Sequence, residues 1–256
     1  MTNIILCGCG GKMGQAIIRA AADSATVRIV AGIDINASAL AATYPFPVFE
    51  KISDFPGKAD SIVDFSHHTA LPALLEYAKA TKTPLVVATT GHTEEELSEM
   101  KQAANEVALF HSGNMSIGIN LLIELCREAS KTLGESFDIE ITEKHHNQKL
   151  DAPSGTAIMI ANALADTREE TEYIYDRHSV RHKRESKEIG IHSVRGGTIV
   201  GEHEVLFAGN NEMITLTHTA TSREIFATGA IKAALYIAKK ADTAGLYNMS
   251  DLINNR

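Results

Sequence analysis

The chain has 256 residues, 44% of them hydrophobic and 22% charged, with a formal net charge of −8. That is the make-up of an ordinary globular protein, long enough for one large domain or two modest ones with a sizeable core. The negative balance argues against nucleic acid as a partner, although local charge still decides whether an acidic small molecule is accepted. No apolar run is long enough to span a bilayer, and Met1-Thr2-Asn3 leads straight into a strand without a signal-peptide build, so a cytoplasmic protein is expected. Cys7, Cys9 and Cys126 are odd in number and lack metal-type spacing, so they read as small packing residues in a reducing compartment.

Asn3-Ile4-Ile5-Leu6-Cys7 forms a short buried strand. It enters the glycine turn Gly8-Cys9-Gly10-Gly11-Lys12-Met13-Gly14, and a helix follows over 15–22. Strand, glycine turn and helix in that order is the dinucleotide-binding arrangement, here as Gly-x-Gly-x-x-x-Gly with Gly11 as an additional glycine. The glycines allow a tight turn and let the backbone approach a pyrophosphate, which makes 8–13 expected cofactor contacts. The next strand, 27–33, ends at Asp34, where an acid accepts hydrogen bonds from adenosine ribose hydroxyls. An incidental acid at a strand end is the bland alternative.

Strands at 61–65, 85–88 and 107–110 then alternate with helices at 71–80 and 94–104, which favours a parallel sheet. Ligands of such sheets gather at the carboxyl ends of the strands. The small polar tips Ala88-Thr89-Thr90 and Ser112-Gly113-Asn114-Met115 are therefore candidate cofactor contacts, with plain turn formation as the alternative. An amphipathic helix over 117–133 leads out of the first domain.

Residues 137–142 alternate apolar with polar like a half-buried strand, and 157–164 are good helix formers. Between them, residues 143–156 read as a strand-to-helix loop. Pro153 disfavours a helical Ala152, and Ser154 is an N-cap candidate just before Gly155 and Thr156. The first N–H groups of a helix lack internal acceptors, and with the helix dipole they make a site for a carboxylate or phosphate. Lys149 adds a positive charge, and His145 or His146 can give or take a proton near neutral pH. An anion cradle beside an acid–base group is a substrate site; a loop of solvated charges is the competing reading.

Residues 167–190 are densely charged and read as a solvated, variable insert without chemistry. Strand-like runs follow at 191–194, 199–208 and 213–220, with Arg195-Gly196-Gly197 as a hairpin-like connection between the first two. Paired with 137–142 they would form a mostly open second sheet, whose bare face self-association would cover. A last helix spans 226–240.

The run Glu143-x-His145-His146-x-x-Lys149-x-Asp151-x-Pro153-Ser154-Gly155-Thr156-Ala157 closely resembles the motif of bacterial 4-hydroxy-tetrahydrodipicolinate (dihydrodipicolinate) reductases, nicotinamide-dependent enzymes of the diaminopimelate and lysine pathway. The resemblance extends from Asn3 to about Leu252 and is weakest over 167–190. It implies an α/β chain: an N-terminal Rossmann-type doubly wound parallel sheet (1–114 with 227–256) that binds the dinucleotide, and an α+β domain with an open mixed sheet (115–226). That second domain would bind substrate and build a homotetramer. The resemblance implies NADH or NADPH as cofactor, no metal, and a cyclic dicarboxylate substrate reduced at ring C4. It places His145 as the acid–base residue, Lys149 as a second proton donor, and His146 with Ser154, Gly155 and Thr156 around the substrate. Ala88-Thr89-Thr90 and 112–115 would lie near the nicotinamide. Many family members carry an arginine directly after the acid of the second strand; Ile35 stands there, so both cofactors are expected to work.

Two other classes compete. A metal enzyme could use His145, His146, His178, His182, His192 or His203, but the His-x-x-x-His spacing of 178 and 182 falls in the charged insert, not on one helix or strand, and Lys149 would repel a cation. A non-catalytic dinucleotide sensor would leave residues 143–157 unexplained.

Overall fold

The computed structural model describes residues 1–22, 24–179 and 181–254. Contacts divide the chain into two compact units, Met1–Ile117 with Glu224–Arg256, and Gly118–Arg223. Positions 255 and 256, assigned from sequence to the first domain, lie outside the described residues.

In the first unit, strands β1 (Thr2–Cys7), β2 (Val27–Ile33), β3 (Val48–Phe49), β4 (Ser61–Asp64), β5 (Leu85–Val87) and β6 (Ala108–His111) pair in parallel. A last strand, β12 (Gly245–Tyr247), joins β6, giving the order β12-β6-β5-β4-β1-β2-β3. The unit's helices are α1 (Lys12–Ala22), α2 (Ala37–Leu40), α3 (Leu71–Thr81), α4 (Glu94–Ala103), α7 (Glu224–Ala238) and α8 (Met249–Asn254). Parallel strands are buried on both faces, which is why β1 reads as an unbroken apolar run. Ile4 and Leu6 pack with Ile17 of α1 and Ala230, Ala234 and Ile237 of α7. Ile5 and Cys7 face the other way, toward Leu71, Leu74 and Leu75 of α3 and Met100 of α4. Strand order reverses at β1, between β2 and β4, and such a switch point opens a crevice beyond the strands' carboxyl ends.

The second unit holds β7 (Asp138–His145), β8 (Glu172–Ile174), β9 (Glu188–Arg195), β10 (Gly201–Ala208) and β11 (Met213–Ala220), in the order β11-β10-β7-β9-β8. Strands β7, β8 and β9 run parallel, and β10 is antiparallel to both its neighbours. Helices α5 (Ile117–Leu133) and α6 (Gly155–Ala165) cover one face. Ile119, Leu122, Ile160 and Leu164 pack there on Ile139, Ile141, Val205 and Phe207. Thr142, Lys144, Glu202, Glu204, Thr217 and Thr219 fall on the alternate positions, so the opposite face is polar. This is the α/β class expected, with a Rossmann-type sheet and a second mixed sheet.

Three local expectations are corrected. Arg195-Gly196-Gly197 is not a hairpin: β7 lies between β9 and β10, and the connection crosses the carboxyl end of β7. Gly196 N donates to His145 O at 2.9 Å, and Asn147 N to Gly197 O at 3.2 Å. Strand β7 also runs three residues past 142, so Glu143, Lys144 and His145 are strand, not loop. The alternation had continued through them, but with charged side chains on the inward positions it no longer read as apolar–polar. Third, 167–190 is more than a solvated insert. It contains β8, and Arg184 pairs with Asp138 at 2.6 Å and Glu140 at 3.1 Å, while Arg177 bridges Glu140 and Glu188, each at 2.6 Å.

Candidate active site

The glycine turn between β1 and α1 is closed against its own chain. Gly8 has φ +75°, and a Cβ there would lie 2.5 Å from Phe65 O; one on Gly14 would lie 2.3 Å from Gly8 O. Only glycine fits such positions without moving backbone. Asp34 receives Gly10 N at 2.9 Å and Asn36 N at 3.0 Å, so its carboxylate ties the turn to the end of β2. An ionised carboxylate offers about four acceptor sites, which leaves capacity for ribose hydroxyls. A groove of about 460 Å³ opens here, lined by Gly8, Gly10, Gly11, Asp34, Ile35 and Phe65 among others. Lys12 is exposed, and Met13 is half-buried at the start of α1. Cys9 packs under the turn against Gly32. Burial, and then the Asp34 charge, push its thiol up to about 11, and burial pushes Cys7 up as well. Neither thiol is a nucleophile near neutral pH.

A smaller hollow of about 230 Å³ lies between Phe65-Ser66-His67-His68 and Ala88-Thr89-Thr90. The Thr89 hydroxyl donates to buried Asp64 at 2.6 Å, and Ser66 N donates to the same carboxylate at 3.0 Å. Burial raises the Asp64 pKa against the lowering by these hydrogen bonds. Thr89 therefore uses its side chain within the protein. The tip 112–115 closes on itself in the same way. Ser112 Oγ donates to Asn114 O at 2.8 Å, Asn114 Oδ1 accepts Ser116 N at 2.8 Å, and Met115 is buried beside an exposed Gly113. Sequence reasoning assigned no role to Asp64, nor to the histidines nearby: the His67 and His68 rings lie 4.3 Å apart, and His68 Nδ1 meets Glu96 at 2.8 Å.

In the second unit, residues 143–156 assemble at the end of β7. Glu143 and His145 alternate with Lys144 and so point to the helix-covered face, past the start of α6. Ser154 caps α6, its hydroxyl accepting Ala157 N at 3.1 Å, as expected from sequence. His203 Nε2 sits 3.1 Å from the same hydroxyl, and burial, then the His145 charge, bring His203 down to about 4. Its ring lies 5.3 Å from that of His145. The Gly155 Cβ position meets nothing within 4 Å among the described residues, so the first turn of α6, with Thr156 in it, opens outward. Lys149 Nζ is 2.9 Å from Asp151 Oδ1, and His146 Nε2 is 3.5 Å from Arg223 Nη2.

The most constrained group is Glu143, which is fully buried. One oxygen accepts His145 Nδ1 at 2.6 Å and Arg195 Nη1 at 2.8 Å; the other accepts Arg195 Nη2 at 2.7 Å and Ser154 N at 3.1 Å. Burial alone would raise its pKa, but the hydrogen bonds from Arg195, His145 and Ser193 hold it down at about 2. Neither Glu143 nor Arg195 has a role that the sequence alone reveals. The available signal was their two-residue spacing from His145 and Ser193, legible only once both strands are drawn to their full length. Among the described residues no group of His, Cys, Asp or Glu could hold a metal ion. His192, one of the metal candidates, instead contacts Glu140 at 2.7 Å.

Residues 2–115 match the family described as "Dihydrodipicolinate reductase, N-terminus", and 118–253 match "Dihydrodipicolinate reductase, C-terminus". The chain is 49% identical to a 4-hydroxy-tetrahydrodipicolinate reductase of Caldanaerobacter subterraneus subsp. tengcongensis, over 99% of this chain and 98% of that protein. It is 48% identical to the protein of the same description from Clostridium novyi, over 100% of each. Among solved structures it resembles a dipicolinate-bound dihydrodipicolinate reductase from Paenisporosarcina sp. TG-14, with TM-score 0.78, 26% identity and 97% of each chain covered.

Proposed function

The chain belongs to the dihydrodipicolinate reductase family, and from that premise we propose how its residues share the work. It is an NAD(P)H-dependent oxidoreductase that reduces 4-hydroxy-tetrahydrodipicolinate (dihydrodipicolinate) to tetrahydrodipicolinate in lysine and diaminopimelate biosynthesis. The bound nicotinamide supplies a hydride to ring C4. Loss of the 4-hydroxyl as water, before or together with reduction, gives the conjugated imine, and hydride addition to it leaves electron density that must be protonated at the neighbouring carbon. His145 performs that step, with Lys149 as second donor. His146, Ser154, Gly155 and Thr156 hold the two carboxylates at the N-terminus of α6, where backbone N–H groups and the helix dipole favour anions. The observation that carries this reading is one imidazole backed by an ionised, buried carboxylate, in the same 143–156 block as an open helix N-terminus and a lysine.

The first unit, including 1–114 and 227–254, binds the dinucleotide; its closed glycine turn and the adjoining groove fit one. Gly8, Cys9, Gly10, Gly11, Lys12 and Met13 approach the pyrophosphate, and Asp34 takes the ribose. Ala88, Thr89, Thr90, Ser112, Gly113, Asn114 and Met115 border the nicotinamide. Because Thr89, Ser112 and Asn114 spend side-chain atoms internally, their backbone groups make the contacts. Oxidation of NADH or NADPH by EDTA-treated protein tests the assignment. Turnover should require the cyclic substrate and survive the chelator; a chelator-sensitive reaction, or none, would refute it.

The second unit, within 115–226, holds the substrate and carries self-association. Its uncovered sheet face, with Met213 exposed, supports self-association, read here as a homotetramer, and the protein is placed in the cytoplasm as a biosynthetic enzyme. Sedimentation velocity should give about four protomer masses, and a monomer would remove this part of the reading. No helix among the described residues is long and apolar enough to cross a membrane.

Cofactor choice follows from Asp34 and Ile35. Asp34 is held by two backbone N–H groups, which favour its staying in place against a 2′-phosphate, and Ile35, 86% exposed at the groove, offers no cation. Lys12 is the nearby charge that could compensate. A surface charge difference of this kind is worth about 1–2 kcal/mol, or roughly tenfold. Both cofactors are expected to work, with NADH equal or better. Ile35→Arg should raise kcat/KM for NADPH roughly tenfold. A wild-type preference for NADPH above about a hundredfold, or no gain in the variant, would place phosphate recognition elsewhere.

A further inference from the structure

Given the reading of His145 as the acid–base residue, on which this rests, we infer that Glu143 is the positioning residue of the site: a buried carboxylate that fixes the tautomer of His145 with one oxygen and the N-cap of α6 with the other, itself clamped by the Arg195 fork. The geometry is templated by strand pairing. Glu143 stands opposite Ser193 and His145 opposite Arg195 in the parallel register of β7 and β9. Arg195 makes a bidentate pair with Glu143, at 2.8 and 2.7 Å, and its Nη2 also donates to Asp151 O at 2.7 Å. It thereby ties the sheet to the 151–154 loop that leads into α6.

The chemistry follows from which groups can donate. An ionised carboxylate only accepts, so the 2.6 Å contact to His145 Nδ1 requires the hydrogen on Nδ1. That leaves Nε2 as the atom that exchanges protons, and it lies on the ring edge facing Gly201, where a Cβ would come within 3.1 Å. When Nε2 takes a proton, the same carboxylate faces the imidazolium. The second oxygen accepts Ser154 N at 3.1 Å, so the proton donor and the anion-binding helix start are referenced to one rigid group. A purely structural ion pair between Glu143 and Arg195 would need neither the His145 nor the Ser154 contact.

The test is Glu143→Gln, which keeps shape and offers Arg195 a carbonyl oxygen but presents an amide N–H to Nδ1. In ¹⁵N-histidine-labelled protein, one ring should change from the Nδ1–H to the Nε2–H tautomer. The kcat should fall by about 10²–10⁴-fold while KM for NADH moves less than about threefold. In the His145→Gln background the same change should cost less than about threefold more, because the two groups act as one unit. A Gln variant that keeps more than about a third of wild-type kcat, or an unchanged tautomer signal, or full additivity with His145→Gln, would overturn the inference. Should that variant not fold, Arg195→Lys loses the fork and the Asp151 contact. It should show mixed tautomers and at least about tenfold lower kcat, and wild-type behaviour on both counts would equally overturn it. Near-wild-type turnover by His145→Gln itself would instead remove the acid–base reading beneath it.

Discussion

Replacing His145 by Gln is expected to lower kcat by about 10²–10⁴-fold, the usual contribution of a general acid–base group. Glutamine retains polarity and approximate reach but cannot take up and release a proton near neutral pH. The backbone should tolerate the change, since His145 ends a strand whose carbonyl is held by Gly196 N at 2.9 Å, independent of the side chain. KM for NADH should stay within about threefold, because the residues proposed for the dinucleotide belong to the other compact unit. Steady-state kinetics with both substrates varied provide the check. A variant retaining more than about a third of wild-type kcat would take His145 out of the mechanism.

How much of this is legible in the sequence differs by type of signal. The glycine turn is legible because backbone conformation restricts residue choice at Gly8 and Gly14, and the strand–turn–helix order points to the use proposed for it and for Asp34. Ser154 was readable as an N-cap to the residue, and the helix Ile117–Leu133 to both ends, because capping and helical periodicity are local. Arg195 was not. Its partner lies 52 residues away, on a strand that only the tertiary fold places beside it, and the two following glycines suggested a turn. Glu143 failed for the opposite reason: a charge at an inward-facing strand position looks like the start of a loop until its partners are known. Strands β3, β8 and β12, two or three residues long, are too short to show any alternation. Asp64 ends a strand that the sequence shows one residue longer, over 61–65, yet nothing in one sequence says that Ser66 and Thr89 will both donate to it.

Lys149→Ala should lower kcat and also weaken binding of pyridine-2,6-dicarboxylate, a planar mimic of the substrate ring. In the free protein Lys149 Nζ lies 2.9 Å from Asp151 Oδ1, and the hydrogen bond it donates holds the Asp151 carboxyl below the usual range. A ligand carboxylate must therefore share or take this ammonium, so the gain on binding is smaller than a bare charge pair would give. Removing the lysine has two costs: the attraction is lost, and Asp151 is left as an uncompensated anion near a dianionic ligand. With surface-type screening the sum is about 1–3 kcal/mol, or roughly five- to 150-fold in Kd. Two companion variants separate charge from proton delivery. Lys149→Arg should recover most of the mimic's affinity, since the guanidinium keeps the charge, but not kcat, because it does not release a proton in a protein. Asp151→Asn should bind the mimic as well as wild type or better, its ammonium being freed from competition. Calorimetric titration in the presence of NADH reads all three. An unchanged Kd in Lys149→Ala would mean that the N-terminus of α6 holds the carboxylates without help from this side chain, and Lys149 would keep only its part in the proton step.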